Sequence, residues 1–106
     1  MKVVEYQETE FKIGKNSKEN WDLLDENQNY TWFHLASFPS CYVVCCSDDI
    51  NDELISYGAQ LCKENTKYRN LKNLKVNYTL IGNLKKANVE GAVYFKSNRK
   101  VKNILI

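Results

Sequence analysis

The sequence predicts an α+β fold with a largely antiparallel sheet, one main helix over about residues 50–64 and one short helix over about residues 17–25. Most apolar positions fall in short segments that alternate with polar residues, which is typical of strands, while two segments have helical spacing. Strands and helices do not alternate regularly, which disfavours a parallel α/β sheet. A chain of 106 residues has the length of one domain, which we assign to residues 1–106.

Seven segments have the composition of strands. In chain order the predicted strands cover residues 2–7, 9–13, 30–36, 41–46, 73–81, 91–96 and 101–106. The first two alternate apolar and polar side chains, and the third is rich in aromatic residues. The fourth is apolar on both faces, which predicts a central strand covered on two sides. The fifth alternates most clearly, and turn residues separate it from the last two.

Both helices have recognisable start signals. Asn16 and Glu19 have the spacing of a capping box at the start of the short helix. Ser47-Asp48-Asp49 predicts an N-cap and an acidic first turn for the main helix. Gly58 lies on the apolar stripe of the main helix, where it would allow close approach to the sheet.

Composition limits the classes of site and compartment. No apolar run approaches the roughly 20 residues that span a bilayer, and the N-terminus carries an early acid and no hydrophobic stretch. We therefore expect a cytoplasmic protein without membrane contact, with the nucleus as the alternative. The cysteines lack C-x-x-C spacing and His34 is the only histidine, so we expect reduced core thiols, no metal and no cofactor. The cysteines are Cys41, Cys45, Cys46 and Cys62.

Charge is divided sharply along the chain. Through Cys62 there are four basic and eleven acidic residues, a formal charge of −7, whereas from Lys63 onward eleven basic and two acidic residues give +9. This asymmetry predicts a basic side that binds a polyanion. The alternative is a solvated face whose charges the acidic half neutralises.

Two groups of residues are candidates for nucleic-acid contact. Trp32 and His34 alternate with Phe33 and Leu35, so an exposed Trp32–His34 pair could stack on bases; the favoured alternative makes Trp32 a core residue and His34 a buried histidine. The second group is cationic and could contact phosphates. Its members are Lys67, Arg69, Lys72, Lys75, Lys85, Lys86, Arg99 and Lys100, with Lys96 and Lys102 in the same stretch.

Catalysis has little support in the sequence. His34 has no thiol or hydroxyl partner at an informative spacing, and the chain lacks a phosphate-cradling glycine loop and paired carboxylates. We therefore expect a binding protein and not an enzyme, without catalytic residues.

Seven short motifs in order resemble the NFACT-R domain over about residues 11–106. They are Gly14-Lys15-Asn16, Glu19-Asn20, Asp22-Leu23, Trp32-Phe33-His34, Ser40-Cys41-Tyr42-Val43, Val76-Asn77-Tyr78-Thr79 and Asn83-Leu84-Lys85-Lys86. This domain belongs to ribosome quality-control factors and also occurs alone, as in the group of coiled-coil-domain-containing protein 25, which is the more similar form.

The resemblance implies RNA binding, with ribosomal RNA of the large subunit or transfer RNA as partner and DNA as the alternative ligand. It also implies a role in translation. The positions that it carries over are Lys15, Asn16, Glu19, Asn20, Trp32, His34, Ser40, Lys85 and Lys86.

Two positions depart from the family pattern. Tyr30 stands where an acidic residue usually precedes the tryptophan, and Tyr42 replaces a second histidine. A chemical step that needs that histidine is not expected here. A competing hypothesis is a protein-interaction module that docks onto a translation complex through its acidic half, without touching nucleic acid.

Overall fold

The computed structural model describes residues 1–106 and contains eight strands, two α-helices and two 3₁₀ turns. The strands are β1 (Lys2–Tyr6), β2 (Thr9–Ile13), β3 (Thr31–Leu35), β4 (Val43–Cys45), β5 (Lys75–Leu80), β6 (Leu84–Lys86), β7 (Val93–Phe95) and β8 (Lys102–Leu105). The helices are α1 (Ser17–Leu23) and α2 (Asp52–Glu64), and the 3₁₀ turns are Ile81–Asn83 and Asn98–Lys100. Neither α-helix combines the length and apolar character that a membrane crossing requires.

Six strands form one sheet in the order β1-β2-β4-β3-β5-β8, and every neighbouring pair is antiparallel. The predicted α+β class, with a largely antiparallel sheet, one main helix and one short helix, is confirmed. Strand β6, which the sequence did not predict, forms a separate antiparallel hairpin with β7. Two of the three residues of β6 are lysines, so the segment has no apolar alternation, and its strand conformation depends on pairing with β7.

The helix starts are set by asparagine caps. Asn16 Oδ1 accepts a hydrogen bond from the Glu19 N–H at 2.9 Å, as predicted, while the Glu19 carboxylate accepts from the Lys15 N–H. The main helix begins later than predicted, because its N-cap is Asn51, whose Oδ1 accepts from the Leu54 N–H at 2.9 Å. The predicted cap at Ser47-Asp48-Asp49 is wrong, since Ser47 Oγ is bonded within its own turn.

The central strands β3 and β4 are buried on both faces, as predicted for the segment 41–46. Alternate residues enter two separate hydrophobic clusters. The first, under α2, includes Phe33 and Val43; the second, under α1 and the β6–β7 hairpin, includes Trp32 and Val44. The domain is therefore three layers thick at its centre, with the sheet as the middle layer.

The outer layers cover the two faces of the sheet unequally. The α2 cluster extends as far as Val76 of β5 and receives Ile104 of β8. The cluster under α1 and the hairpin contains no residue of β5 or β8. The part of this second face around His34, Asn77 and Asn103 therefore has no helix or hairpin over it. At the far end of β5, Thr79 is buried beneath the loop that carries Lys100.

Gly58 allows α2 to pack closely on β3. A Cβ atom at this position would lie 2.5 Å from ring carbons of Phe33, which is fully buried. No side chain larger than hydrogen fits without moving the ring, so the predicted role of Gly58 in close helix–sheet approach is confirmed.

We expect Gly58→Ala to lower the free energy of unfolding by up to about 2 kcal/mol. The added methyl overpacks the core by about 1–3 kcal/mol, and the higher helix propensity of alanine offsets roughly 1 kcal/mol of that cost. Urea denaturation measures the change. Ser56→Ala, at an exposed position of the same helix, serves as control and should be neutral or slightly stabilising. A more stable Gly58→Ala variant would show that α2 packs less closely on Phe33 than the 2.5 Å distance from an added Cβ implies.

Candidate nucleic-acid interface

One end of the sheet gathers loops that are far apart in the chain. The antiparallel register brings the ends of β2, β3 and β8 beside the starts of β1, β4 and β5. The end of α2 and the loop that follows it lie at the same edge. We call this edge the basic end, because it carries six cationic side chains. These are Lys2, Lys15, Lys67, Arg69, Lys72 and Lys75.

A polar cavity of about 610 Å³, the basic pocket, opens at this end. Its lining contains three lysines and no carboxylate, and only two of its thirteen residues are hydrophobic. The lining residues are Lys2, Ile13, Gly14, Lys15, Asn16, Ser17, Asn20, Pro39, Ser40, Cys41, Asn65, Thr66 and Lys67. A cavity with this charge and these donors suits an anionic oxygen ligand.

Asn20 is the most constrained polar side chain of the basic pocket. It is 8% exposed, and its Oδ1 accepts a hydrogen bond from the Tyr42 N–H at 3.1 Å. Gly14 lies so close that a Cβ there would collide with Oδ1, and its own N–H donates to the Tyr42 carbonyl at 3.0 Å. Because Oδ1 is occupied, the orientation of the amide is set, and its Nδ2 group makes no hydrogen bond within the protein. Asn20 therefore retains two donors for a ligand.

Two other residues carried over by the resemblance build the pocket wall. Asn16 uses its side-chain oxygen to cap α1. Ser40 Oγ accepts from the Leu35 N–H at 3.1 Å and donates to the Cys41 carbonyl at 3.0 Å, which holds the loop before β4. The Ser40 hydroxyl both accepts and donates within the protein, whereas the Nδ2 group of Asn16 stays free. Lys15, Asn16 and Asn20 are therefore the better placed of the motif residues to touch a ligand.

The basic end continues past the loop between β3 and β4. A smaller cleft there, of about 380 Å³, holds Lys72 and Lys75 beside Phe38. Arg69 lies on the connecting loop, where its guanidinium donates to the Thr66 carbonyl at 3.4 Å. The structure thus brings together seven of the sequence-predicted residues at one end of the molecule. They are Lys15, Asn16, Asn20, Lys67, Arg69, Lys72 and Lys75.

A second basic cavity, the loop pocket, lies at the opposite end of β5 and has a volume of about 780 Å³. It contains four cations and no carboxylate: Lys96, Arg99, Lys100 and Lys102. The buried amide of Asn83 bonds the backbone of Ser97 through both its oxygen and its nitrogen. Thr79 Oγ donates to the Lys100 carbonyl at 2.9 Å. These bonds hold the cationic loop in place, and they bring Lys96 and Lys102, which the sequence placed in the same basic stretch, into one pocket with Arg99 and Lys100.

Lys85 and Lys86 are separate from both pockets, since they lie on strand β6 of the hairpin. Adjacent strand residues point in opposite directions, so the two lysines do not share a surface. Lys86 is engaged already: its Nζ lies 3.5 Å from an Asp25 carboxylate oxygen and 5.5 Å from the centroid of the Trp21 ring. Lys85 is exposed and lies opposite Tyr94.

Most cations of the basic half have no acidic partner. Of the eleven from Lys63 onward, only Lys86 lies within 4 Å of a carboxylate. The other three ion pairs join groups of the acidic half, as in Lys12–Glu26 and Lys18–Asp22. The acidic half therefore does not neutralise the basic one by pairing. The cations form clusters at opposite ends of β5 instead of the single continuous side expected from the sequence.

Trp32 does not offer a stacking surface. It is 2% exposed, with its ring edge-on to Tyr42 and Phe95, and its indole N–H has no hydrogen-bond partner. The candidate assignment of Trp32 to nucleic-acid contact is therefore corrected, because the hairpin covers its ring. His34 lies parallel to Trp32, with 5.6 Å between ring centroids, and is half-buried, so an exposed Trp32–His34 pair does not exist.

Tyr42, one of the two positions at which the sequence departs from the NFACT-R resemblance, is a structural residue. Its ring packs edge-on against His34 and Trp32, and its hydroxyl donates to the Gly91 carbonyl in the loop between β6 and β7. Burial raises the pKa of Tyr42 to about 12. The phenol therefore stays protonated at neutral pH and ties the hairpin to β4.

Comparison with known proteins identifies the fold. No protein-family model and no curated protein matches the chain. Among solved structures, the chain is similar to the C-terminal part of the fibronectin/fibrinogen-binding protein from Streptococcus suis, with a TM-score of 0.83 and 24% sequence identity. The match covers 92% of this chain and 40% of that one. At this identity the likeness shows a shared fold and no more.

We expect acid to destabilise the protein through His34. Burial lowers the pKa of His34 below its usual value of 6.5, so the unfolded chain takes up a proton at a higher pH than the folded one. Stability is then lost as the pH falls below about 6.5. Chemical denaturation between pH 7.5 and 5.5 should show a steeper fall in the free energy of unfolding for the wild type than for His34→Gln. Equal slopes would contradict the assignment.

Proposed function

We propose that this domain is an RNA-binding module that contacts the phosphate backbone through its basic end. The observation that carries the proposal is the basic pocket, in which Lys2, Lys15 and Lys67 surround the free amide group of Asn20 without a carboxylate. Lysine ammonium groups and amide N–H groups are the usual partners of phosphate oxygens. A lysine without an acidic partner does not have to break an ion pair before it contacts a phosphate.

The sequence resemblance supports RNA over DNA, and ribosomal or transfer RNA as the natural ligand. The motif residues that it identifies include Lys15, Asn16, Asn20 and Ser40, which all line the basic pocket. Motifs separated in the chain thus meet in one cavity. We therefore propose a role in translation or ribosome quality control for the domain, with the large ribosomal subunit or transfer RNA as partner.

A protein ligand is the second candidate. The solved structure similar to this chain belongs to a protein described as binding fibronectin and fibrinogen. This chain has an acidic cleft near the start of α2, where Asp52 and Glu53 lie beside the stacked rings of Tyr6 and Tyr57. Nuclease treatment distinguishes the two: partners captured by the domain should be lost after RNase digestion if RNA mediates binding, and retained if the acidic cleft binds protein directly.

We expect Asn20→Asp to weaken RNA binding about tenfold. The aspartate keeps the oxygen that accepts from the Tyr42 N–H but replaces the two free donors by a negative oxygen, and a lost charge-assisted contact costs about 1.5–3 kcal/mol. Asn51→Asp is the matched control, because it adds the same charge and preserves the cap of α2. Titration with a transfer RNA measures both variants. If Asn20→Asp and Asn51→Asp bind the transfer RNA with equal affinity and melting curves show both variants folded, Asn20 does not contact the RNA.

We expect the double variant Lys15→Gln, Lys67→Gln to reduce the salt dependence of binding. Each phosphate contact contributes about 0.7 to the slope of log affinity against log salt for single-stranded ligands, so the slope should fall by about 1.4. The control is Lys12→Gln, Lys18→Gln, which removes two lysines paired with Glu26 and Asp22. Titrations with transfer RNA, single-stranded RNA and duplex DNA give the slopes. Identical salt slopes for both double variants would refute the basic pocket as the site of phosphate contact. Tighter binding of duplex DNA than of either RNA would refute RNA as the preferred ligand.

A further inference from the structure

The uncovered part of the sheet carries a row of polar side chains on three adjacent strands. His34 of β3 lies opposite Asn77 of β5, which lies opposite Asn103 of β8. Their neighbours Phe33, Val76 and Ile104 point into the α2 cluster, so the polar row faces the other side. No residue of β5 or β8 belongs to the cluster under α1 and the hairpin.

These three side chains have hydrogen-bonding groups to spare. Asn77 and His34 are half-buried and Asn103 is exposed. The two amide side chains make no hydrogen bond within the protein, whereas the His34 imidazole has a hydrogen bond with the Leu35 backbone and can use only its second ring nitrogen. With strands about 4.8 Å apart, the row is about 10 Å wide. Two amides and an imidazole in register offer donors and acceptors at fixed spacing on a rigid sheet.

Cations lie on both sides of the row, at the two ends of β5, because the row runs across the strands. Lys75 is on the same face of β5 as Asn77, at the end near the basic pocket. At the other end Thr79 holds the loop that carries Arg99 and Lys100 in the loop pocket. The two groups of cations are separated by the length of β5, roughly 17 Å. Neither group has a carboxylate in its cavity lining.

We propose that this part of the sheet binds the bases of a single-stranded RNA segment that runs along β5. The backbone phosphates contact Lys75 at one end and the loop pocket at the other, while base edges contact His34, Asn77 and Asn103. The inference rests on the proposed RNA-binding function and specifies its ligand. Paired RNA is a poor fit, because its base edges are occupied and its readable groove displays mainly sugar hydroxyls.

The test compares Asn77→Ala, Asn103→Ala with Asn88→Ala, an exposed asparagine in the β6–β7 loop. The ligands are an unstructured RNA of about ten nucleotides and the same sequence as a duplex. The wild type should prefer the single strand. The double variant should lose about tenfold in affinity for it while the salt slope stays unchanged, because amide–base contacts release no counterions. The control should bind like the wild type.

A second readout separates direct contact from a change in fold. On addition of the single-stranded RNA to the wild type, the side-chain NH₂ resonances of Asn77 and Asn103 should shift, and that of Asn88 should not. Unchanged resonances, or equal affinity of the double variant and the control, would overturn the base-binding face while leaving phosphate contact at the basic end intact. A wild-type protein that binds neither RNA at low salt would overturn the proposed function itself, and this inference with it.

Discussion

Burial of β3 and β4 on both faces is the constraint on which the rest of the structure depends. Successive residues of each strand enter different hydrophobic clusters, so each face needs its own cover. One helix, α2, covers one face over most of the sheet. The other face is covered by two small elements, α1 and the β6–β7 hairpin, and these reach only the central strands. The open part of that face beside β5 and β8 is a direct consequence of this unequal cover.

The basic pocket follows from the same packing. For α1 to cover the sheet, the chain must turn sharply after β2, and Gly14 permits Asn20 to approach the backbone there. Asn20 Oδ1 then accepts the hydrogen bond from the Tyr42 N–H that a neighbouring strand would otherwise accept, just before β4 begins. A residue that joins the helix to the sheet thereby keeps an unused amide group beside Lys15 and Lys67. The same side chain thus contributes to the packing of α1 and belongs to the proposed binding pocket.

Charge is distributed unevenly over the surface of the molecule. Cations without acidic partners concentrate at both ends of β5. The acidic groups that form ion pairs lie on or near α1, where Glu19 binds the N-terminal ammonium close to the basic pocket. A strand of polyanion that lies along β5 would meet positive charge at both ends and neutral amides between them. This division suits a ligand in which charged phosphates alternate with uncharged bases.

The sequence by itself determined most of the secondary structure and the charge balance. Alternation, capping residues and composition are local properties of the chain and do not depend on which strands pair. The sequence predicted the α+β class, the cap at Asn16, the close approach at Gly58 and the two-sided burial of the segment that contains β4. Burial of Trp32 is the favoured expectation from the sequence, and the cap at Asn51 is a local feature that the sequence predicted at the wrong residues.

Strand β6 and the covering of Trp32 by the hairpin required the tertiary structure, since each depends on a partner distant in the chain. The same holds for the pockets: only the strand order decides which loops share an end of the sheet, and so which lysines meet around Asn20.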